Sequence, residues 1–201
     1  MKSITELLNI NTPLILASKS PRRQLLMRNL GFNFEVMPSD FDENIDTQIP
    51  PAEYVTLLSA GKAEDIAGKI RKDAIIIAAD TIVVLGAEII NKPADEQQAF
   101  DMLKKLSGIT HEVYTGITLV NTAGSSEISD YQRTEVTFRE LKDDEVWAYI
   151  KSGSPMDKAG AYGIQDDFGA VFVSRIEGCY YNIVGLPLEL LYRKLKELIN
   201  V

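Results

Sequence analysis

Ile75-Ile76-Ile77-Ala78-Ala79 follows Ala74 without a single polar side chain. A strand wetted on one face alternates apolar and polar residues. An unbroken apolar run is consistent with a strand buried on both faces. Such a strand needs a layer above it and a layer below it, which constrains the chain to a layered fold of helices on a sheet. The surrounding pattern agrees. Strands are expected at Thr12–Ala17, Phe32–Met37, Ala74–Ala79, Glu112–Val120, Ile128–Phe138 and Gly169–Ile176. A hairpin is expected from Thr81–Leu85 and Glu88–Asn91 around Gly86-Ala87. Helices are expected at Pro21–Leu30, Ala52–Ile70, Asp95–Leu106, Asp143–Lys151 and Leu186–Ile199, the last with Leu188, Leu191, Leu195 and Leu198 at helical spacing. Hairpins mixed with crossovers predict an α/β or α+β fold. The expected plan is one domain over residues 1–201, two-lobed, with a mixed sheet and a central cleft, a common place for a ligand.

Composition narrows the partners. The 201 residues carry a net charge of −8, so a general nucleic-acid surface is not expected. A local basic pocket for a small anion is compatible with that charge. One cysteine, Cys179, excludes an internal disulfide and a thiolate metal cluster. Met1–Asn11 lacks the pattern of a secretory signal, and no apolar run reaches membrane-spanning length. The chain reads as a soluble cytoplasmic protein.

Leu14-Ile15-Leu16-Ala17-Ser18-Lys19-Ser20-Pro21-Arg22-Arg23 reads as a strand, a tight turn and a helix start. Three cations there sit at the positive end of a helix dipole, where free N–H groups also favour an anion. A capped helix with a solvated basic turn would look the same. Lys62 lies one turn from Leu58 and from Ile66, within the apolar stripe Val55, Leu58, Ala63 and Ile66. A lysine there either snorkels past the stripe or needs a counter-ion. Asp80 ends the apolar run, either as a turn residue or as a carboxylate at a strand's carboxyl end, where α/β folds bind ligands. Lys92-Pro93 closes the hairpin. Ser154 to Gln165 is a loop of small residues around Asp157 and Lys158, open to close backbone approach. His111 and Cys179 have no metal-ligand partners at suitable spacing and read as fillers. Phosphate-loop, dinucleotide and Ser–His–Asp signatures are absent. Together Arg22, Arg23, Lys62, Lys92 and Lys158 with Glu43, Asp80 and Asp157 suit a polyphosphate and a divalent metal. Cations neutralise the oxygens and one carboxylate activates water.

These residues resemble the Maf family of nucleoside triphosphate pyrophosphatases. The matching stretches are Leu16 to Arg23, Ala79-Asp80-Thr81-Ile82-Val83, Lys92-Pro93, Leu106-Ser107-Gly108 with His111, Asp157 to Gln165, Gly178 with Tyr180-Tyr181-Asn182, and Val184-Gly185-Leu186-Pro187. The resemblance implies an inosine triphosphate pyrophosphatase-like (Maf/Ham1) fold. It implies cleavage of a nucleoside triphosphate to the monophosphate and pyrophosphate with Mg²⁺ or Mn²⁺, and it is compatible with a homodimer. It makes Asp80 the proton acceptor and assigns phosphate handling to Ser20, Arg23, Glu43, Lys62, Lys92 and Lys158, with Glu43 and Asp80 toward the metal. Arg22, Thr81 and Gln165 match the three specificity positions of the branch similar to dTTP and UTP pyrophosphatases. A glutamine amide can accept from the base N3–H and donate to a neighbouring carbonyl. Two departures stand out. Asp166-Asp167 follows Gln165 where glycine is usual, and Ser154 stands where glutamate is usual. They bear on the base pocket more than on hydrolysis. A second reading of the same resemblance is a nucleotide-binding regulator of septum formation whose hydrolysis is incidental.

Overall fold

A computed structural model describes residues 4–43, 49–165 and 168–199. The order along the chain is α1 (Ile4–Leu8), β1 (Leu14–Leu16), α2 (Pro21–Asn29), β2 (Phe34–Val36), α3 (Pro51–Lys69), β3 (Ile75–Leu85), β4 (Glu88–Ile90) and α4 (Glu96–Leu106). There follow β5 (Thr110–Asn121), β6 (Ser126–Phe138), α5 (Asp143–Lys151), β7 (Val173–Glu177), α6 (Tyr180–Val184) and α7 (Leu188–Ile199). Among the described residues the strands form a mixed sheet in the order β2-β1-β3-β5-β6-β7, with β4 paired to β3. β1 runs parallel to β2 and to β3, matching Leu14 with Phe34 and with Ile75. β4 folds back antiparallel on β3, with Val83 opposite Ile90.

The chain divides into two compact units. The first comprises Met1–Asp80, Thr115–Gln132 and Gly185–Val201; the second comprises Thr81–Tyr114 and Arg133–Val184. In the first, Ile15, Ala17, Ile76 and Ala78 pack against Ala63 and Ile66 of α3 and against Ile70, which follows it. α3 lies so close to β5 that a Cβ on Gly116 would stand 2.3 Å from the Val55 carbonyl oxygen. Ser59 and Thr118 share a buried hydroxyl hydrogen bond at 2.8 Å across the same contact. In the second unit α4 packs on α5, with the Phe100 and Trp147 rings stacked at 4.8 Å. Its core is aromatic: Phe138, Tyr149 and Phe172 are fully buried around Tyr162 and His111.

Three differences from the expected pattern have physical causes. Ala74–Ala79 and Thr81–Leu85 form one strand, so Asp80 lies within β3 and not at its end. Pairing of β3 with β1 stops at Leu16 and Ile77, and Asp80 stands three residues beyond it. The expected strand Gly169–Ile176 opens as a 3-10 turn, Gly169–Phe172, before β7. There a Cβ on Gly169 would meet the Gly163 oxygen at 2.5 Å, so tight packing overrides the apolar pattern. The short helices α1 and α6 carry too few turns to show a period.

Candidate active site

Ser20 caps α2, with its Oγ accepting from the Arg23 N–H at 3.5 Å, and Pro21 occupies the first turn, where no N–H is needed. The cap turns the Arg23 side chain inward. Its Nη1 donates to Ser18 Oγ at 3.2 Å and its Nε donates to the Gly185 carbonyl at 2.8 Å. Burial pushes the Arg23 guanidinium below its usual value. Asp80 opposes this, Arg22 adds to it, and Glu43 opposes it more weakly. Arg23 therefore lies within electrostatic reach of both carboxylates.

Strand alternation explains the next contact. Ile76 and Ala78 face α3, so Asp80, two residues further, faces it too. On α3, Lys62 sits beside Ala63 and one turn before Ile66 on that covered face. Lys62 Nζ donates to Asp80 Oδ1 at 2.6 Å and pairs with Glu43 Oε1 at 2.7 Å. Lys62 and Asp80 are buried, while the Glu43 side chain is 57% exposed. The counter-ion that a lysine in an apolar stripe requires is thus a pair of carboxylates. Tyr54, two turns before Lys62, is buried beside them. Burial, then Asp80 and Glu43, raise its phenol above the usual range. The sequence reading missed Tyr54, although the spacing 54, 58, 62 places it on the same face.

The second unit holds another polar cluster. Lys158 is buried and donates to Asp157 Oδ1 at 2.8 Å, to the Ser154 hydroxyl at 3.3 Å and to the Ser154 carbonyl. Gly160 has φ +69°, and a Cβ there would press on Val83 at 3.0 Å, so the turn after Lys158 needs glycine. The Gly160 N–H donates to the Asn91 carbonyl at 3.1 Å, which ties this turn to the segment bearing exposed Lys92. Tyr162 is held by His111, with Nε2 and the phenol oxygen 2.8 Å apart. Thr81 and Gln165 are half-buried. Ser20, Arg22, Arg23, Glu43, Lys62 and Asp80 thus belong to the first unit, and Thr81, Lys92, Lys158 and Gln165 to the second. Asp166 and Asp167 lie outside the described residues.

Among the described residues no three His, Cys, Asp or Glu side chains gather as a metal cage. Glu43 and Asp80 converge on one ammonium and supply hard oxygen donors. Such a pair suits Mg²⁺ or Mn²⁺, which take one or two carboxylates and fill the remaining positions with water and phosphate oxygens.

A buried lysine between two carboxylates, on a helix packed against a mixed sheet, places the chain among α/β proteins with a charged site beside the sheet. The family model described as Maf-like protein matches residues 13–198. A dTTP/UTP pyrophosphatase of Clostridium perfringens is 50% identical over 183 residues, covering 90% of this chain and 95% of that protein. A protein of the same description from Carboxydothermus hydrogenoformans is 50% identical over 182 residues, covering 90% and 96%. The chain belongs to the Maf family. In fold it is similar to the Ham1 protein of Staphylococcus aureus, with a TM-score of 0.51 at 13% identity over 92% of this chain and 98% of that one.

Proposed function

We propose that this protein hydrolyses dTTP and UTP between the α- and β-phosphates, releasing the nucleoside monophosphate and pyrophosphate. The observation that carries this reading is the Lys62 ammonium between Asp80 and Glu43, within electrostatic reach of Arg23 at the capped start of α2. The similarity to dTTP/UTP pyrophosphatases over nine-tenths of the chain supports the substrate class. Asp80 Oδ1 is held by Lys62, which leaves Oδ2 to take a proton from water. The water oxygen bonds the α-phosphorus, the bond to the bridging oxygen breaks, and pyrophosphate leaves with that electron pair. Ser20 and Arg23 hold phosphate oxygens at the helix start, and Lys62, Lys92 and Lys158 balance the remaining charge. Glu43 and Asp80 would hold a divalent cation, whose chemistry is to neutralise phosphate oxygens and stabilise the departing pyrophosphate. Arg22, Thr81 and Gln165 read the pyrimidine edge.

The test is a panel of nucleotides with Mg²⁺ and with Mn²⁺, assayed separately for pyrophosphate and for orthophosphate. Pyrophosphate from dTTP and UTP ahead of the purine nucleotides is the expected result. Orthophosphate instead of pyrophosphate would overturn the cleavage position. Tight nucleotide binding with neither product would favour the regulator.

A further inference from the structure

The segment that delivers Glu43 is laid along one edge of α3. Gly61, Asp65 and Lys69 recur every four residues, so they form a stripe on the helix. Lys69 Nζ contacts Asp40 Oδ2 at 3.0 Å and Asp65 Oδ2 at 2.8 Å. Asp65 Oδ2 also accepts from the Ser39 hydroxyl at 2.9 Å and from the Asp40 N–H at 3.0 Å. Ser39 Oγ in turn accepts from the Phe41 N–H at 3.0 Å. One turn toward the start of α3, the Phe41 ring occupies the place of a missing side chain. A Cβ on Gly61 would stand 2.4 Å from that ring. Two residues after Phe41, Glu43 reaches Lys62, the neighbour of Gly61.

Little of this reads as core stabilisation. Asp40, Asp42, Glu43 and Lys69 are exposed, and Ser39, Phe41 and Asp65 only half-buried. The apolar face of α3 is already covered by Ile15, Ile76 and Ala78. Exposed ion pairs contribute little to stability. The contacts do, however, remove freedom from a backbone that must present a half-exposed carboxylate at one place.

We propose that Gly61 and Asp65 are positioning residues for Glu43: they dock Ser39–Phe41 on α3 so that the Glu43 carboxylate meets Lys62 where metal and phosphate arrive. This rests on the reading of Glu43 given above. Asp65 and Gly61 touch no reacting atom, so their loss weakens binding and spares the chemical step.

The experiment compares the full chain with Gly61→Ala, Asp65→Ala, Asp65→Asn, Glu43→Gln and the double variant Asp65→Ala/Glu43→Gln. Calorimetry measures binding of α,β-imido-dUTP with Mg²⁺, and kinetics separates KM from kcat. Partners that orient a metal-binding carboxylate are typically worth 10–100-fold in affinity. Gly61→Ala and Asp65→Ala are expected to weaken analogue binding and raise KM by about tenfold, with kcat and the thermal midpoint near the parent. Asp65→Asn keeps an oxygen for Ser39 and Asp40 and is expected to recover most of the loss. The double variant is expected to be no weaker than Glu43→Gln alone, since both remove one interaction. Parental analogue binding in Gly61→Ala and Asp65→Ala beside a weakened Glu43→Gln would overturn the positioning role and leave the reading of Glu43 standing. A lowered midpoint with parental binding would assign the contacts to stability alone and also overturn it. Parental binding in Glu43→Gln would remove the role of Glu43 and the inference with it.

Discussion

Lys62 Nζ lies 2.6 Å from Asp80 Oδ1, with both side chains only 11% exposed. Removing one member of such a pair leaves the other charge buried without compensation, which costs about 3–5 kcal/mol. Lys62→Met is therefore expected to lower stability by about that amount, read by urea unfolding. Lys62→Met/Asp80→Asn is expected to lose less than Lys62→Met alone. A double variant less stable than the single one would show that the pair is not the source of the cost.

Asp80→Asn preserves the size of the side chain and removes its basicity. kcat for dTTP is expected to fall by about 10²–10⁴, the range for a lost general base, while analogue binding persists. Pyrophosphate release at the parent rate would exclude Asp80 as the proton acceptor.

Acid should weaken the fold through His111. The ring is 1% exposed between Phe138 and Tyr162, and burial lowers its pKa from 6.5 to about 4. Between those values the unfolded chain binds the proton and the folded one does not. This contribution is whole above the unfolded pKa and is lost as pH falls from 6.5 toward 4. The loss is on the order of 3 kcal/mol. Urea unfolding at about pH 7 and about pH 4.5 should show it in the parent and far less of it in His111→Gln. Equal pH dependence in both would reject the assignment.

Base selection is expected to weaken in Gln165→Leu. A base edge left without its hydrogen bonds costs roughly 1–3 kcal/mol. kcat/KM for UTP should fall by roughly tenfold or more, narrowing the preference over CTP. An unchanged UTP/CTP ratio would remove Gln165 from the base site.

Gly116→Ala tests how closely α3 rests on β5. The new methyl would lie 2.3 Å from the Val55 carbonyl oxygen, a backbone atom that no side-chain rotation moves away. Overpacking of this kind costs about 1–3 kcal/mol, and each kcal/mol shifts the midpoint by about 2–4 °C in a domain of this size. A midpoint within a degree of the parent, by calorimetry, would contradict this packing.

Much of the site was legible because its residues break local rules. Lys62 interrupts an apolar stripe, Asp80 ends an unbroken apolar run, and Ser20-Pro21-Arg22-Arg23 gathers cations at a helix start. Burial makes the exceptions at Lys62 and Asp80 costly, so both pointed to chemistry. Residues that obey local rules gave no such signal. Tyr54 looks like an ordinary amphipathic helix residue, and Asp65 and Lys69 like a solvated pair. Ser18 and the Gly185 carbonyl hold Arg23 from 5 and 162 positions away in the chain, and no periodicity reports a contact of that kind.

The order of the longer strands and helices, the covered apolar strand and the identity of the charged groups follow from the amino-acid sequence alone, because hydrophobic period and capping chemistry act over a few residues. Tertiary structure decided the pairing. It ran β3 unbroken through Asp80, set that carboxylate on the α3 face opposite Lys62, and laid Ser39–Phe41 over Gly61 so that Glu43 completes the cluster. Those contacts depend on how closely whole elements approach, and only the packed chain sets those distances.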